Sequence, residues 1–215
     1  CAVPAGEEEK FASLPPEYSH LYLCVSGSLA AVICVSDPLR AEAAEVIRAL
    51  HECGIPHTVM MTGDNRATAA AVAAQVGVDE FRAEVLPQDK AEYIRRARAE
   101  GHTVIMIGDG VNDSPALSEA DVGIAINTGA AIAREIADIT VSSESLWELV
   151  TLRRLSTALM ARIHRNYRTI VGFNLGLILF GVAGILPPTT SALLHNASTL
   201  LISLRSMTDL LGDGQ

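Results

Sequence analysis

Apolar residues along this chain come in short runs, separated by longer segments whose apolar positions recur at helical spacing. Two runs, Leu21 to Val25 and Leu29 to Val35, flank Ser26-Gly27-Ser28 and predict a β-hairpin. Asp37-Pro38 then reads as a helix start, with Asp37 as N-cap and Pro38 at the first helical position, and Gly54 closes that helix. Next come a strand at Thr58 to Met61, a loop at Thr62 to Asn65 and an alanine-rich helix ending near Gly77. A strand at Phe81 to Val85 leads through Pro87 to a helix from Gln88 to Glu100, stopped by Gly101. Thr103 to Ile107, Val122 to Ile126 and Ile139 to Val141 read as three more strands, with a polar loop and a short helix after the first. This alternation predicts an α/β fold with a parallel sheet and helices on both faces. Ligands of such sheets bind beyond the carboxyl ends of the strands, so the Thr62 to Asn65 and Gly108 to Asp113 loops share one rim.

The pattern changes near Ser143. A helical spacing through Trp147, Leu152, Leu155 and Met160 meets a basic cluster of Arg153, Arg154, Arg162, Arg165 and Arg168. Thr169 to Leu186 follows, 18 residues without a charge and with Asn174 as the one strongly polar side chain. That length just reaches what a bilayer core needs. Pro187-Pro188 breaks the run, and a second segment from Thr190 to Leu211 completes an expected transmembrane helical hairpin. Charge divides the same way: about −13 up to Val150 and about +4 beyond it. The asymmetry predicts a multi-pass membrane protein with a cytoplasmic acidic domain. It argues against nucleic acid as a partner, because the folded part carries no basic face.

The opening residues, with Glu7-Glu8-Glu9 and Pro15-Pro16, show neither helix nor strand period and read as the remnant of something longer. The four cysteines show no CxxC spacing. With the hairpin turn centred on Gly27, Cys24 faces Ala30 and Cys34 faces His20, so the two sulfurs are out of register and are expected to be buried thiols.

Chemistry concentrates in three segments. Met61-Thr62-Gly63-Asp64-Asn65 sets a hydroxyl and glycine N–H groups at a strand's end and a helix's start, where anions are favoured. Pro87-Gln88-Asp89-Lys90 puts Lys90 in the first turn of a helix, where the dipole disfavours a cation unless an anion compensates it. Gly108-Asp109-Gly110-Val111-Asn112-Asp113-Ser114-Pro115 supplies Asp109 and Asp113 as oxygen ligands for Mg²⁺ and Asn112 as a donor. Separately each segment reads as turn chemistry or a solvated surface; together they hold the parts that phosphoryl transfer requires.

Met-Thr-Gly-Asp-Asn, Leu-Pro-Gln-Asp-Lys and Gly-Asp-Gly-Val-Asn-Asp-Ser-Pro-Ala-Leu, in that order, resemble the phosphorylation domain of P-type cation-transporting ATPases. That domain is similar in fold to haloacid-dehalogenase-type phosphatases. The resemblance runs from about His20 to the end and includes Asp37-Pro38-Leu39-Arg40 as the re-entry after the nucleotide-binding insertion. It implies ATP and Mg²⁺ as cofactors. Thr62 and Gly63 would hold phosphoryl oxygens, Asp64 would shape that loop, Lys90 would neutralise the group and Asn112 would contact it. Asp109 would ligate Mg²⁺, with Asp113 supporting the metal site. It also implies three parts: 1–36 as the tail of the nucleotide-binding domain, 37–145 as the phosphorylation domain without its first strand, and 146–215 as a connecting helix with two transmembrane helices. The family's phosphorylated Asp-Lys-Thr-Gly-Thr segment is not in this sequence. Neither are the actuator domain, most of the nucleotide domain or the earlier membrane helices, which the resemblance makes this chain's partners together with the lipid bilayer. The chain alone is therefore expected to form no phosphoenzyme.

Two membrane segments after the soluble domain resemble the heavy-metal class. On the last helix, His195, Asn196, Ser198 and Thr199 fall on a polar half, and Asn174 lies on the helix before it. Imidazole suits a divalent transition metal, so these five residues are candidate ligands for the transported ion. His195-Asn196-Ala197-Ser198-Thr199 has the spacing of the His-Glu-Gly-Gly-Thr of cobalt-type members but differs inside it, and the copper-type Met-x-x-Ser is absent. Two rival readings are a membrane-tethered dehalogenase-type phosphatase, for which Asp37 would have to be the nucleophile, and a non-catalytic fragment.

Overall fold

A computed structural model describes residues 2–15, 18–35, 38–109, 112–126, 135–141 and 145–211. It divides into two compact units, Cys1–Leu149 and Val150–Gln215.

In the first unit, a short helix α1 (Glu8–Ala12) occupies the opening stretch for which the sequence predicts no regular element. Glu8 and Glu9 sit in its first turn, where acidic side chains suit the helix dipole. The hairpin β1 (Ser19–Val25) and β2 (Ser28–Val35) forms as expected. Its two-residue turn has positive φ at Ser26 (50°) and Gly27 (84°), the conformation that matches strand twist. His20 faces Cys34 as the register predicts, but a bulge at Leu23/Cys24 sets Cys24 opposite Leu29 rather than Ala30. The expected buried thiols are corrected: Cys34 is an exposed free thiol, and Cys24 is exposed and disulfide-bonded. Both strands stay largely open to solvent, with Leu21, Leu23, Val25 and Ile33 all more than half exposed, so the hairpin offers no core in which to bury sulfur.

Helix α2 (Ala43–Glu52) starts later than the sequence predicts. Pro38 to Arg40 are irregular, and Asp37, the expected N-cap, lies outside the described residues. Glu42 occupies the cap position, and helix begins where Val46 and Ala49 can be buried. After it come β3 (Val59–Met61), α3 (Arg66–Val76), β4 (Glu80–Arg82), α4 (Pro87–Ala99), β5 (Ile105–Gly108), α5 (Ser114–Glu119), β6 (Val122–Ile126) and β7 (Ile139–Val141). All pairings among β3 to β7 are parallel, as the alternating pattern requires. The parallel sheet is in two pieces among the described residues: β3 pairs only with β4, while β5, β6 and β7 run in that order. β3 and β5 thus each keep one unpaired edge.

One buried cluster of Ile94, Met106, Ala116 and Leu117 draws α4, β5 and α5 together, and Met61 at the end of β3 packs against it. Tight packing explains a glycine here. A Cβ on Gly123 of β6 would come within 2.8 Å of the Leu117 carbonyl oxygen.

The second unit is built from the long helix α6 (Trp147–Val182), which begins in the first unit, and α7 (Pro188–Ser206). They form a helical hairpin with polar ties: Arg162 donates to the carbonyl oxygens of Ser206 (2.9 Å), Thr208 and Asp209 (2.8 Å). Asn166 donates to the Ser206 hydroxyl (2.7 Å). The expected transmembrane hairpin needs correction in one respect. No helix among the described residues is long and apolar enough to cross a membrane. The uncharged run extends to Leu186, but α6 stops at Val182 and Gly184 turns the chain at φ 72°, leaving only 14 of the run's 18 residues helical.

Candidate active site

The three predicted segments each leave a strand's carboxyl end or start a helix, and each is tied to the same buried cluster. Met61 precedes Thr62, Ile94 lies one turn beyond Lys90, and Met106 and Ala116 bracket Asp109, Asn112 and Asp113. A single core therefore sets the positions of all three. Its residues come from different elements, so local sequence alone does not display it.

In the β3 loop, the Thr62 hydroxyl donates to Asp64 Oδ2 (2.8 Å) and accepts from the Asp64 N–H (3.1 Å). The loop is pinned to the segment after β4. The Val85 N–H donates to the Thr62 carbonyl (3.0 Å), and the Glu84 N–H donates to that of Asp64 (2.9 Å). Glu84 adopts φ 56°, a costly conformation for a residue with a side chain, and its N–H holds this loop in place. Asn65 caps α3 by accepting from the Ala67 and Thr68 N–H groups, both at 3.0 Å. Gly63 has room around it: a Cβ would meet nothing nearer than the Val85 carbonyl at 3.9 Å.

Lys90 sits in the first turn of α4, where Asp89 accepts from the Leu86 N–H (3.1 Å). The anion that its position demands is Asp113: Lys90 Nζ lies 2.7 Å from Asp113 Oδ1, with the two side chains 15% and 13% exposed. Water screens such a pair only partly, so the ammonium and carboxylate fix each other strongly. Lys90 is thus no solvated surface lysine. Asp113 in turn lies against the backbone of Gly108, where an added Cβ would stand 2.6 Å from its Oδ2. Gly108 is the site residue that sequence reasoning missed. Its signal was the glycine ending an apolar strand before a carboxylate loop, which reads as a turn glycine until the Asp113 contact is seen.

Asp109 and Asn112 are exposed at the rim, and Gly110 and Val111 lie outside the described residues. Carboxylates such as those of Asp109 and Asp113 are the hard oxygen donors that Mg²⁺ prefers. Among the described residues no group of three or more His, Cys, Asp or Glu is placed to hold a metal ion. Mg²⁺ commonly takes one or two carboxylates and keeps water and substrate oxygens in its remaining positions, so carboxylates at 109 and 113 are chemically suited to it.

In the helical hairpin, Asn174 and His195 are brought together, with Asn174 Oδ1 2.8 Å from His195 Nδ1. Ser198 and Thr199 spend their hydroxyls on the His195 carbonyl, at 2.8 and 3.1 Å, as side chains one turn along a helix do. Asn196 is exposed.

The parallel α/β sheet and its rim, with the Lys90–Asp113 pair, are the setting in which the chain's relatives are read. The model of haloacid dehalogenase-like hydrolases matches residues 4–121, and the chain belongs to that family. Within it, the similar proteins are heavy-metal P-type ATPases. The zinc-exporting P-type ATPase of Mycobacterium marinum is 41% identical over 187 residues, covering 86% of this chain and 26% of that protein. Copper-transporting ATPase 2 of Rhizobium meliloti is 47% identical over 176 residues, covering 82% and 21%. A crystal structure of a zinc-transporting PIB-type ATPase in its E2.Pi state matches with TM-score 0.82 and 29% identity, covering 95% of this chain and 34% of that one. The chain spans about a quarter of the length of the curated relatives. These relatives favour the pump reading and give no support to a tethered phosphatase.

Proposed function

We propose that this chain is part of an ATP-driven heavy-metal cation pump and carries most of its phosphorylation domain, at 37–145, followed by helices that lie in the bilayer. The observation that carries the reading is the Lys90–Asp113 pair, held by the core that also anchors the Thr62 loop. Lys90 would neutralise a phosphoryl group at the rim, and the Thr62 hydroxyl and Gly63 N–H would orient its oxygens. Asn112 would add a donor, and Asp64, which accepts from the Thr62 hydroxyl when no phosphoryl group is bound, would shape the loop. Mg²⁺, held through Asp109 with Asp113 behind it, supplies further charge neutralisation when bound. The edges of β3 and β5 that are unpaired among the described residues are compatible with a further strand carrying the phosphorylated aspartate, which would come from the rest of the pump with its actuator and nucleotide domains. Residues 1–36 would close the nucleotide domain.

A membrane setting is supported by apolar side chains left open on both helices. Ile178, Leu179 and Val182 of α6 are 62%, 60% and 83% exposed, and Leu193, Leu200 and Leu201 of α7 are 69%, 62% and 66% exposed. The arginines before the apolar run would place the acidic unit on the cytoplasmic side. His195, with Asn174, Asn196, Ser198 and Thr199 near it, would lie on the path of a divalent transition metal.

The experiment is phosphorylation from radiolabelled ATP. The intact pump should form an acid-stable, hydroxylamine-sensitive phosphoenzyme that Asp109→Asn or Lys90→Ala reduces at least tenfold. The chain alone should form none, and a labelled aspartate on this chain alone would refute the reading.

A further inference from the structure

We propose that Arg165, Arg168 and Arg205 together hold the phosphate of one anionic phospholipid, and that this headgroup ties α6 to α7 at the membrane boundary. This rests on the reading that the two helices lie in the bilayer, and adds to it a lipid of defined charge at a defined place.

Charge along the sequence gives the first reason. No acidic residue stands between Glu148 and Asp209, while Arg153, Arg154, Arg162, Arg165, Arg168 and Arg205 all fall in that interval. Arg162 is spent on the end of α7, where it donates to the carbonyl oxygens of Ser206, Thr208 and Asp209. Arg165, Arg168 and Arg205 are exposed, and among the described residues their side chains make no hydrogen bond or ion pair. Their counter-charge must come from outside the helical hairpin.

Placement gives the second. The Asn166–Ser206 hydrogen bond (2.7 Å) sets those two residues face to face. The helices run antiparallel, so the residues just before the facing positions, Arg165 and Arg205, emerge on the same side of the pair. Arg168, three positions after Arg165, shares its helix face. One side of the hairpin is therefore bordered by three unpaired arginines drawn from both helices.

What lies next to the arginines selects a lipid over a soluble anion or an acidic protein surface. Arg168 is the last charge before the uncharged run, and Ile170, Val171 and Phe173 just beyond it are exposed. Gly172 and Gly176 continue the Arg165 and Arg168 face at helical spacing, and a Cβ on either would meet nothing within 4 Å, so that face is open where acyl chains would lie. Tyr167, 66% exposed, sits at the same level, an amphipathic ring of the kind that stands among headgroups. A ligand for this surface is anionic at one end and apolar at the other. Guanidinium groups meet a phosphate with paired N–H donors and keep their charge throughout the physiological range. Shared between α6 and α7, the phosphate adds to the Arg162 and Asn166 ties and holds the hairpin closed at its basic end.

The test uses the full chain in nanodiscs of phosphatidylcholine, with or without added phosphatidylglycerol. Native mass spectrometry of protein released from the mixed discs should show one phosphatidylglycerol retained. Arg165→Gln, Arg168→Gln and Arg205→Gln should each weaken retention about fivefold. Arg154→Gln, which removes an equally exposed and unpaired arginine well before the apolar run, should leave it unchanged. Phosphatidylglycerol should also raise the melting temperature of the wild-type chain and not that of the Arg165→Gln/Arg205→Gln double variant. Retention that falls as far in Arg154→Gln would overturn the proposal, since the lipid would then answer to net charge alone. So would retention indifferent to the three substitutions. Flotation with phosphatidylcholine vesicles separates the two readings: a chain that floats yet shows no preference for the anionic lipid leaves the bilayer reading standing and sinks this one. A chain that floats with neither kind of vesicle sinks both.

Discussion

Lys90 shows how one residue can be half legible. Its place in the first turn of α4 announced that it needed an anion, because a cation there opposes the helix dipole. Which anion depended on a contact across 23 positions, which local pattern does not encode. Asp113→Ala should cost about 1–3 kcal/mol by leaving the mostly buried ammonium unpaired; Lys90→Met with Asp113→Leu should recover part of it, as read by urea unfolding. Gly108→Ala is expected to destabilise by about 1–3 kcal/mol, since Asp113 must move to admit the methyl group. In the intact pump the same change should weaken Mg²⁺ activation of phosphorylation. Asp79 gives a pH signature. The Thr58 N–H and hydroxyl, at 2.7 and 2.8 Å, hold its carboxyl below the ordinary value of 3.8. A lowered folded value means stability that is present above about pH 4 and lost as pH falls through the folded value. Melting temperature should therefore fall on acidification below pH 4, and less steeply in Asp79→Asn.

At the scale of elements, periodicity and punctuation located nearly every strand and helix to within a few residues. β6 and β7 have the predicted bounds because short apolar runs with polar flanks have one good reading. The α2 start was misplaced because Asp37-Pro38 carries a helix-start signal, while burial of Val46 and Ala49 decides where helix is worth forming. Helix α1 escaped notice because five residues give no period. Thr62-Gly63-Asp64 read equally as a helix start, but the cap is Asn65. Asn65→Ala should cost about 1 kcal/mol of thermal or urea stability, for it removes the acceptor of two N–H groups. The transmembrane reading came from counting uncharged residues, which says nothing of where the helix stops; Gly184 ends it early.

For the whole molecule, the order of motifs made the class readable, because three specific segments on one rim are hard to assemble by chance. The divided sheet was anticipated only through the resemblance. Hydrophobic pattern shows which strands exist, but an absent neighbour leaves no trace in the strands that remain. The ion that the proposed pump would carry stayed unread for a similar reason: most of its ligands would come from outside this chain.

The edges of β3 and β5 that stay unpaired among the described residues also bear on how this polypeptide behaves in a test tube. A row of backbone donors and acceptors without mates is a template for whatever extended chain arrives first. Ile105 and Ile107 flank that row with 42% and 38% of their surface open. Concentrated preparations should therefore grow by lateral association, visible as light scattering that rises steeply with protein concentration. A short apolar peptide able to pair with the open edge of β5 should suppress that growth at near-equimolar dose.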